Sequence, residues 1–424
     1  MVYSQLIEKW HMYVQLLRIS TNLLFAVTYR FMLRFSTSGE SHGEALVALL
    51  SGMPAGLKVD EEFVNRELWR RQQGYGRGGR MRIERDTAHI LSGVRHGQTI
   101  GSPIALTLAN KDWQNWQESL PVAAGDPEKH KEVKSPRPGH ADLAGALKYN
   151  FPEARYILER ASARESAARV AVGALAKLFL RELGIEVLSH VVAVGSARLN
   201  WDEVPWERLQ ALHAREEVLL NCVDEETEQR MKAEVDRALK TGDSIGGVFE
   251  VVAHNVPPGL GTYANWDERL DTHLAAAVMS LQAVKAVEIG TGVASALSFG
   301  SEVHDEIGYQ KGNNLPFTGF TRKSNHAGGI EGGISNGQDI IVRGYLKPIS
   351  TLRRPLESVD FKTREAVKAA YERSDVCVVP AAGVAGEAMV SLTLARSALE
   401  KFGGDSMLET TRNFKGYCQQ LKEF

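Results

Sequence analysis

A chain of 424 residues, 43% hydrophobic and 24% charged, has the composition of a globular protein with ample material for a core, and its length alone would suit two or three domains. Fifty lysines and arginines against 52 acids leave a formal charge of −2, which argues against general attraction to nucleic acid or membrane, so any anion must be held by a local cluster. Three widely spaced cysteines (Cys222, Cys377 and Cys418) form no disulfide framework and no zinc spacing, and they fit a reducing, cytoplasmic compartment.

Residues 1–31 are apolar and aromatic, with Glu8 the only acid. The longest uncharged run, Ile19 to Tyr29, is too short to span a bilayer, and no signal-peptide pattern is clear. We expect an N-terminal extension without a structural role and Met32 as the natural start, a targeting peptide being the alternative. After Met32 comes a strand pattern, LRFSTS, and then GESHG (Gly39 to Gly43), whose flanking glycines suit a tight turn that exposes His42. Ala45 to Leu50 is an apolar run closed by turn residues. Asp60 predicts a helix N-cap with Glu61 and Glu62 in the first turn, and Gly74 ends that helix.

The helix leads into the most distinctive stretch, Arg66 to Arg85, where seven of twenty residues are arginine and only Glu67 and Glu84 are acidic. Glycines 74, 76, 78 and 79 let the backbone bend closely around a small object. Guanidinium forks pair two-pronged with carboxylate or phosphate, so a pocket for a compact polyanion is one reading; a solvated basic loop or an RNA-binding segment is the other.

Ala88 to Val94 and Thr99 to Leu108 read as strands, and Asp112 to His130 as a polar surface excursion whose Trp113 and Trp116 serve packing rather than stacking. In Ser135 to Asp142, two prolines stiffen the chain around Arg137 and a glycine presents His140, which suits anion binding with proton transfer; a plain proline-rich turn is the alternative. Ser162 and Glu165 have the capping-box spacing and open a helix that Gly184 ends, placing Arg160, Ala161 and Ser162 where backbone N–H groups attract phosphate. A strand (Ile185 to Val194), an acidic helix (Asp224 to Lys240) and a second strand (Val248 to His254) follow. A long helix is expected over Arg269 to Val287, with Gln282 near its end. Gly329 to Gly337, a strand to Tyr345, and Lys347-Pro348-Ile349-Ser350-Thr351 then suit a phosphate cradle. Helices at Ala381 to Phe402 and Ser406 to Leu421 close the chain. The two long apolar helices, 162–183 and 381–402, hint at an internal duplication. Without a linker, one compact unit of helices and strands is expected.

In this order GESHG, RRQQGYGRGGRM, RPGHAD, RASARE, DSIGG, SLQAVKAVEIG, SNHAGGIEGGISNG, KPIST and ERSDVCVVPAAG make a chain that resembles chorismate synthase from Met32 to about Phe402. The resemblance implies an α+β fold, a β-α-β-α sandwich, and a catalytic domain over 32–424. It implies anti-1,4-elimination of phosphate from 5-enolpyruvylshikimate 3-phosphate, giving chorismate with reduced FMN and no net redox change. It also implies a homotetramer. Some members of that family reduce flavin themselves with NADPH, but no reductase domain or nucleotide fingerprint is visible in this sequence, so an external flavin reductase is expected, with NADPH only as an indirect reductant. By resemblance His42 and His140 match the catalytic histidines, and Asp375 an aspartate assisting proton removal. Arg71, Arg77, Arg80, Arg137 and Arg164 match substrate-binding arginines, the first two alternatively serving a nicotinamide nucleotide. Arg160, Ala161, Ser162, Gln282, Ala283, Gly332, Lys347, Pro348, Ile349, Ser350, Thr351 and Arg373 match flavin-binding positions. The rival classes are an RNA-binding protein built on YGRGGR, and a phosphate-ester hydrolase using His42 and His140. The hydrolase would need metal ligands or a nucleophile beside a base, and neither is evident.

Overall fold

The computed structural model describes residues 33–78, 85–200, 203–215, 217–310, 316–372 and 375–424. The extension 1–31, Arg80 and Arg373 lie outside the described residues.

Strands β1 (Arg34–Ser38), β2 (Ala45–Ser51), β3 (His89–Ile90) and β4 (Ile104–Ala109) form an antiparallel sheet in the order β1-β2-β4-β3. Alternation along β2 buries Leu46, Ala48 and Leu50, which face Leu108, Leu106 and Ile104 across the ladder. A second antiparallel sheet joins β5 (Glu186–Val194), β6 (Ala197–Arg198), β7 (Gly247–His254), β8 (Val284–Ile289) and β9 (Ile340–Leu346) in the order β8-β9-β7-β5-β6.

The longer helices are α1 (Glu61–Gln72), α2 (Asp142–Tyr149), α3 (Arg155–Ala161), α4 (Ser166–Glu182), α5 (Trp206–His213), α6 (Glu225–Thr241), α7 (Leu270–Met279), α8 (Val379–Phe402) and α9 (Met407–Glu423). Helix α4 packs on the first sheet and α8 on the second, and the two helices pack on each other with α1 against both. Their crossing is close because Gly173 has no side chain; a Cβ there would stand 2.3 Å from that of Ala388. Phe249 of β7 fills the space left by Gly344 of β9 and Gly386 of α8, which ties the second sheet to its helix. Helices α5 and α6 lie against β5. Among the described residues no helix is long and apolar enough to cross a membrane.

Three expectations change. The helix expected over Arg269 to Val287 ends at Met279, because the chain turns at Ser280 and Ala283 takes φ +69°, and Val284 onward pairs with β9 as β8. Its apolar spacing fits both a helix and a half-buried strand. The expected strands over Ala88 to Val94 and Thr99 to Leu108 are shorter pieces, since the left-handed Gly93 and Gly101 interrupt them. The capping box is not formed. Ser162 caps a single 3-10 turn by accepting from Arg164 N at 3.3 Å, and the Glu165 carboxylate is taken by Thr37, Arg169 and Gln282.

Candidate active site

Each half of the site begins with an imidazole whose orientation is fixed by a buried carboxylate. In the GESHG turn, His42 Nδ1 lies 3.0 and 3.1 Å from the two oxygens of Glu159 in α3, and its backbone N–H donates to the same carboxylate at 2.8 Å. Burial would raise the Glu159 carboxyl, but the hydrogen bonds from His42 and the charge of Arg155 outweigh it and hold the group below the usual carboxylate range. An ionised carboxylate can only accept, so Nδ1 carries the proton of that contact. In the RPGHAD loop, His140 Nδ1 lies 2.5 Å from Asp142 Oδ1, and Arg137 Nε donates to Asp142 Oδ2 at 2.8 Å. Asp142 is fully buried, and the hydrogen bonds from His140 and Arg137 outweigh burial and keep it well below its ordinary value. Arg137 also donates to Thr351 Oγ1 at 2.8 Å, which joins this loop to KPIST.

The arginines come from different elements, and Arg71, Arg137 and Arg164 are each under a tenth exposed. Arg71, in the last turn of α1, donates to Ser166 Oγ at 2.9 Å and to Ala163 O at 3.0 Å. Arg164 pairs with Asp86 at 2.6 Å and with Asn110, whose amide in turn donates to Gly43 O at 2.6 Å. Arg71 Nη1 lies 3.6 Å from the same Asp86 oxygen. Arg77 Nη1 lies 3.3 Å from Asp375 Oδ2, and Asp375 Oδ1 accepts from Gly78 N at 2.5 Å. The glycine loop is thus folded back on ERSDVC.

The flavin-matching residues adjoin these groups. Arg160 donates to Gly39 O and Thr37 O, and Ser162 Oγ is 3.2 Å from Ser41 Oγ, so both touch the GESHG turn. Gln282 donates to Glu165 at 3.0 Å. Lys347 N donates to Ala283 O at 3.0 Å, its ammonium donates to Gly139 O, and Ser244 supports Ile349 O from below. Pro348 and Ser350 complete this loop. Gly332 stands apart. It sits on the hairpin that precedes β9 and contacts the start of α7, whereas KPIST follows β9 and Ala283 follows α7. Seven strand residues separate the two ends by about 20 Å.

Contacts therefore run in series from His42 to Glu159, Glu159 to Arg155 and Arg155 to Glu372 at 2.9 Å, while Asp375 of the same ERSDVC stretch meets Arg77. The family model described as chorismate synthase matches residues 33–399. The chain belongs to the chorismate synthase family. It is 74% identical over 393 residues to the chorismate synthase of Koribacter versatilis, spanning 93% of this chain and all of that one. It is 70% identical over 396 residues to that of Acidobacterium capsulatum, with the same coverage. A crystal structure of chorismate synthase superimposes with TM-score 0.74 at 43% identity, covering 93% of this chain and 99% of the other. The chain is accordingly a lyase of the shikimate pathway that eliminates phosphate from 5-enolpyruvylshikimate 3-phosphate to give chorismate.

Sequence reading missed Glu159, Asp86, Asn110 and Arg155, all of which act on residues far away in the chain. It also misjudged Trp116. The indole is not merely packed in a surface excursion, because its centroid is 4.1 Å from that of His42 at 31° between planes. Among the described residues no group of histidines, cysteines and acids is arranged to hold a metal.

Proposed function

We propose that this constellation is the site of the elimination, with Arg71, Arg77, Arg80, Arg137 and Arg164 binding the two carboxylates and the phosphate of the substrate. The observation that carries the reading is the pair of imidazoles, each held at Nδ1 by a buried carboxylate, within a group of buried arginines. A polyanion entering here exchanges hydration for charge-assisted hydrogen bonds, without which its desolvation would be prohibitive. His42 lies beside the leaving phosphate and His140 beside the flavin, each presenting Nε2 where charge moves. Asp375 positions Arg77 and assists removal of the ring hydrogen.

Reduced FMN is the cofactor that fits the remaining donors. A lysine ammonium, the hydroxyls of Ser162, Ser350 and Thr351, the Arg160 guanidinium, and the left-handed backbone at Ala283 are the groups expected around a phosphate and a polar ring edge. Arg160, Ala161, Ser162, Gln282, Ala283, Lys347 to Thr351 and Arg373 would hold it, and Gly332 would reach it from a second copy of the chain. The chemistry reduced FMN supplies when bound is transient electron density and an acceptor for a ring hydrogen that is too weakly acidic for any side chain here. We further propose a β-α-β-α sandwich with internal pseudo-duplication, supported by each sheet having its own long helix. A cytoplasmic homotetramer that receives reduced FMN from an external reductase, with NADPH serving only indirectly, completes the reading.

The deciding experiment is anaerobic chorismate formation from 5-enolpyruvylshikimate 3-phosphate with and without chemically reduced FMN. Turnover only with reduced FMN is expected, and equal phosphate release in air without flavin would overturn the assignment.

A further inference from the structure

Two residues that touch His42 are given no role of their own in the elimination by the reading above. Glu159 is buried in α3 and meets both the ring nitrogen and the backbone N–H of His42. Trp116 comes from the excursion between β4 and α2 and lies across the imidazole. The indole is itself anchored. Its Nε1 donates to Asp112 at 3.1 Å, and the Lys131 ammonium lies 4.0 Å from its centroid, with the Arg155 guanidinium at 5.2 Å. Arg155 braces the other side by donating to Glu159 and Glu372.

We propose that Glu159 and Trp116 are positioning residues for the elimination: the Glu159 carboxylate fixes the His42 tautomer, and the Trp116 indole fixes the plane of its ring. This rests on the role given to His42 above. An imidazole on a glycine-flanked turn has two soft torsions and two tautomers. Only Nδ1–H against a carboxylate leaves Nε2 as the nitrogen that meets the substrate. Glu159 removes the tautomer choice, and Trp116 removes rotation about the last torsion by occupying one face of the ring. The excursion is then a wall of the site, pinned to His42, rather than a surface ornament. A misplacement of about 1 Å at a reacting group can cost on the order of a hundredfold in rate, so both residues matter without touching substrate.

The test is steady-state kinetics under anaerobic conditions with saturating reduced FMN on wild type, Glu159→Gln, Glu159→Asp, Trp116→Phe, Trp116→Leu and His42→Ala. Glu159→Gln presents an amide that can donate to Nδ1 and so permits the wrong tautomer. Its kcat is expected to fall about a hundredfold or more with KM nearly unchanged, as happens when an orienting carboxylate becomes an amide. Glu159→Asp restores part of that loss. Trp116→Phe keeps the stack and most of the rate, whereas Trp116→Leu keeps the bulk and loses about tenfold in kcat. Because Glu159 also holds backbone, the tryptophan pair decides the matter if Glu159→Gln does not fold. Steady-state emission adds a spectroscopic check: His42→Ala is expected to raise tryptophan fluorescence in wild type and not in the Trp116→Phe background. Unchanged kcat in Glu159→Gln and Trp116→Leu, with His42→Ala inactive, overturns the positioning role alone. Full turnover in His42→Ala overturns the role of His42 and this proposal with it.

Discussion

Asp142 carries more at the residue scale than either histidine, because it holds His140 and Arg137 at once. Converting it to asparagine leaves a buried guanidinium facing an amide. Breaking such a pair from one side typically costs about 3–5 kcal/mol. We expect Asp142→Asn to be destabilised by about that much in urea unfolding, and to lose turnover as His140→Ala does, by a hundredfold or more. Wild-type stability in Asp142→Asn would show that Arg137 finds other partners. The acid side follows from the same contacts. Asp142 and Glu159 are both held below the ordinary carboxylate range, so the unfolded chain binds their protons first as pH falls. Their stabilisation is complete above about pH 4 and is lost below it. Much of this level was legible in the sequence. Gly39, Gly43 and Gly139 betrayed two turns that each present a histidine, and Asp142 stood within the quoted motif. Glu159 was not legible, since nothing local marks an acid that acts on a turn 117 residues earlier.

At the scale of elements, local chemistry gave away helix starts wherever a side-chain cap acts alone. Asp60 accepts from Phe63 N and Asp224 from Thr227 N, as their positions suggest. It failed where tertiary pairing overrides period. Leu281, Val284 and Val287 continue the spacing of α7, yet pairing with β9 takes the last two into a strand. The close crossing of α4 and α8 was equally invisible, because Gly173 reads as a mere weak point in a helix. Two effects oppose each other there. Replacing glycine by alanine within a helix gains up to about 1 kcal/mol of propensity. At Gly173 the new methyl would stand 2.3 Å from Ala388 Cβ and 2.6 Å from its Cα, so the helices must separate. Overpacking of that kind costs about 1–3 kcal/mol. The clash is against backbone, and it wins. Gly173→Ala is therefore expected to melt below wild type in a thermal scan; a higher melting temperature would mean the helices part freely.

For the whole molecule, the helical layer is joined to the second sheet by charges as well as by apolar packing. Arg70 of α1 donates to Glu387 of α8 at 2.6 and 2.9 Å and to Glu67 at 2.9 Å. Lys177 of α4 meets both acids at 2.7 and 2.5 Å, and Ser189 of β5 donates to Glu387 at 2.6 Å. Every member is buried, so the cluster fixes which faces of three helices meet. At its edge stands His213, whose Nε2 donates to Ser189 O at 2.7 Å. Burial, with the nearby Arg70 charge, pushes its imidazole down to about 4. The folded state therefore keeps His213 neutral while the unfolded chain protonates near the ordinary value of about 6.5. Its stabilisation is complete above that value and is lost as pH falls toward 4, with a slope of at most about 1.4 kcal/mol per pH unit. His254 runs the other way. Its hydrogen bond to Asp339 raises it, so its contribution is present at low pH and fades as pH rises through its folded value. Comparing wild type with His213→Gln separates the two. In urea unfolding at pH 7 and pH 5, wild type is expected to lose more stability on acidification than the glutamine variant does. Equal losses would mean that His213 takes up its proton in the folded protein as readily as in the unfolded chain, and that the charged cluster beside it exerts no pull.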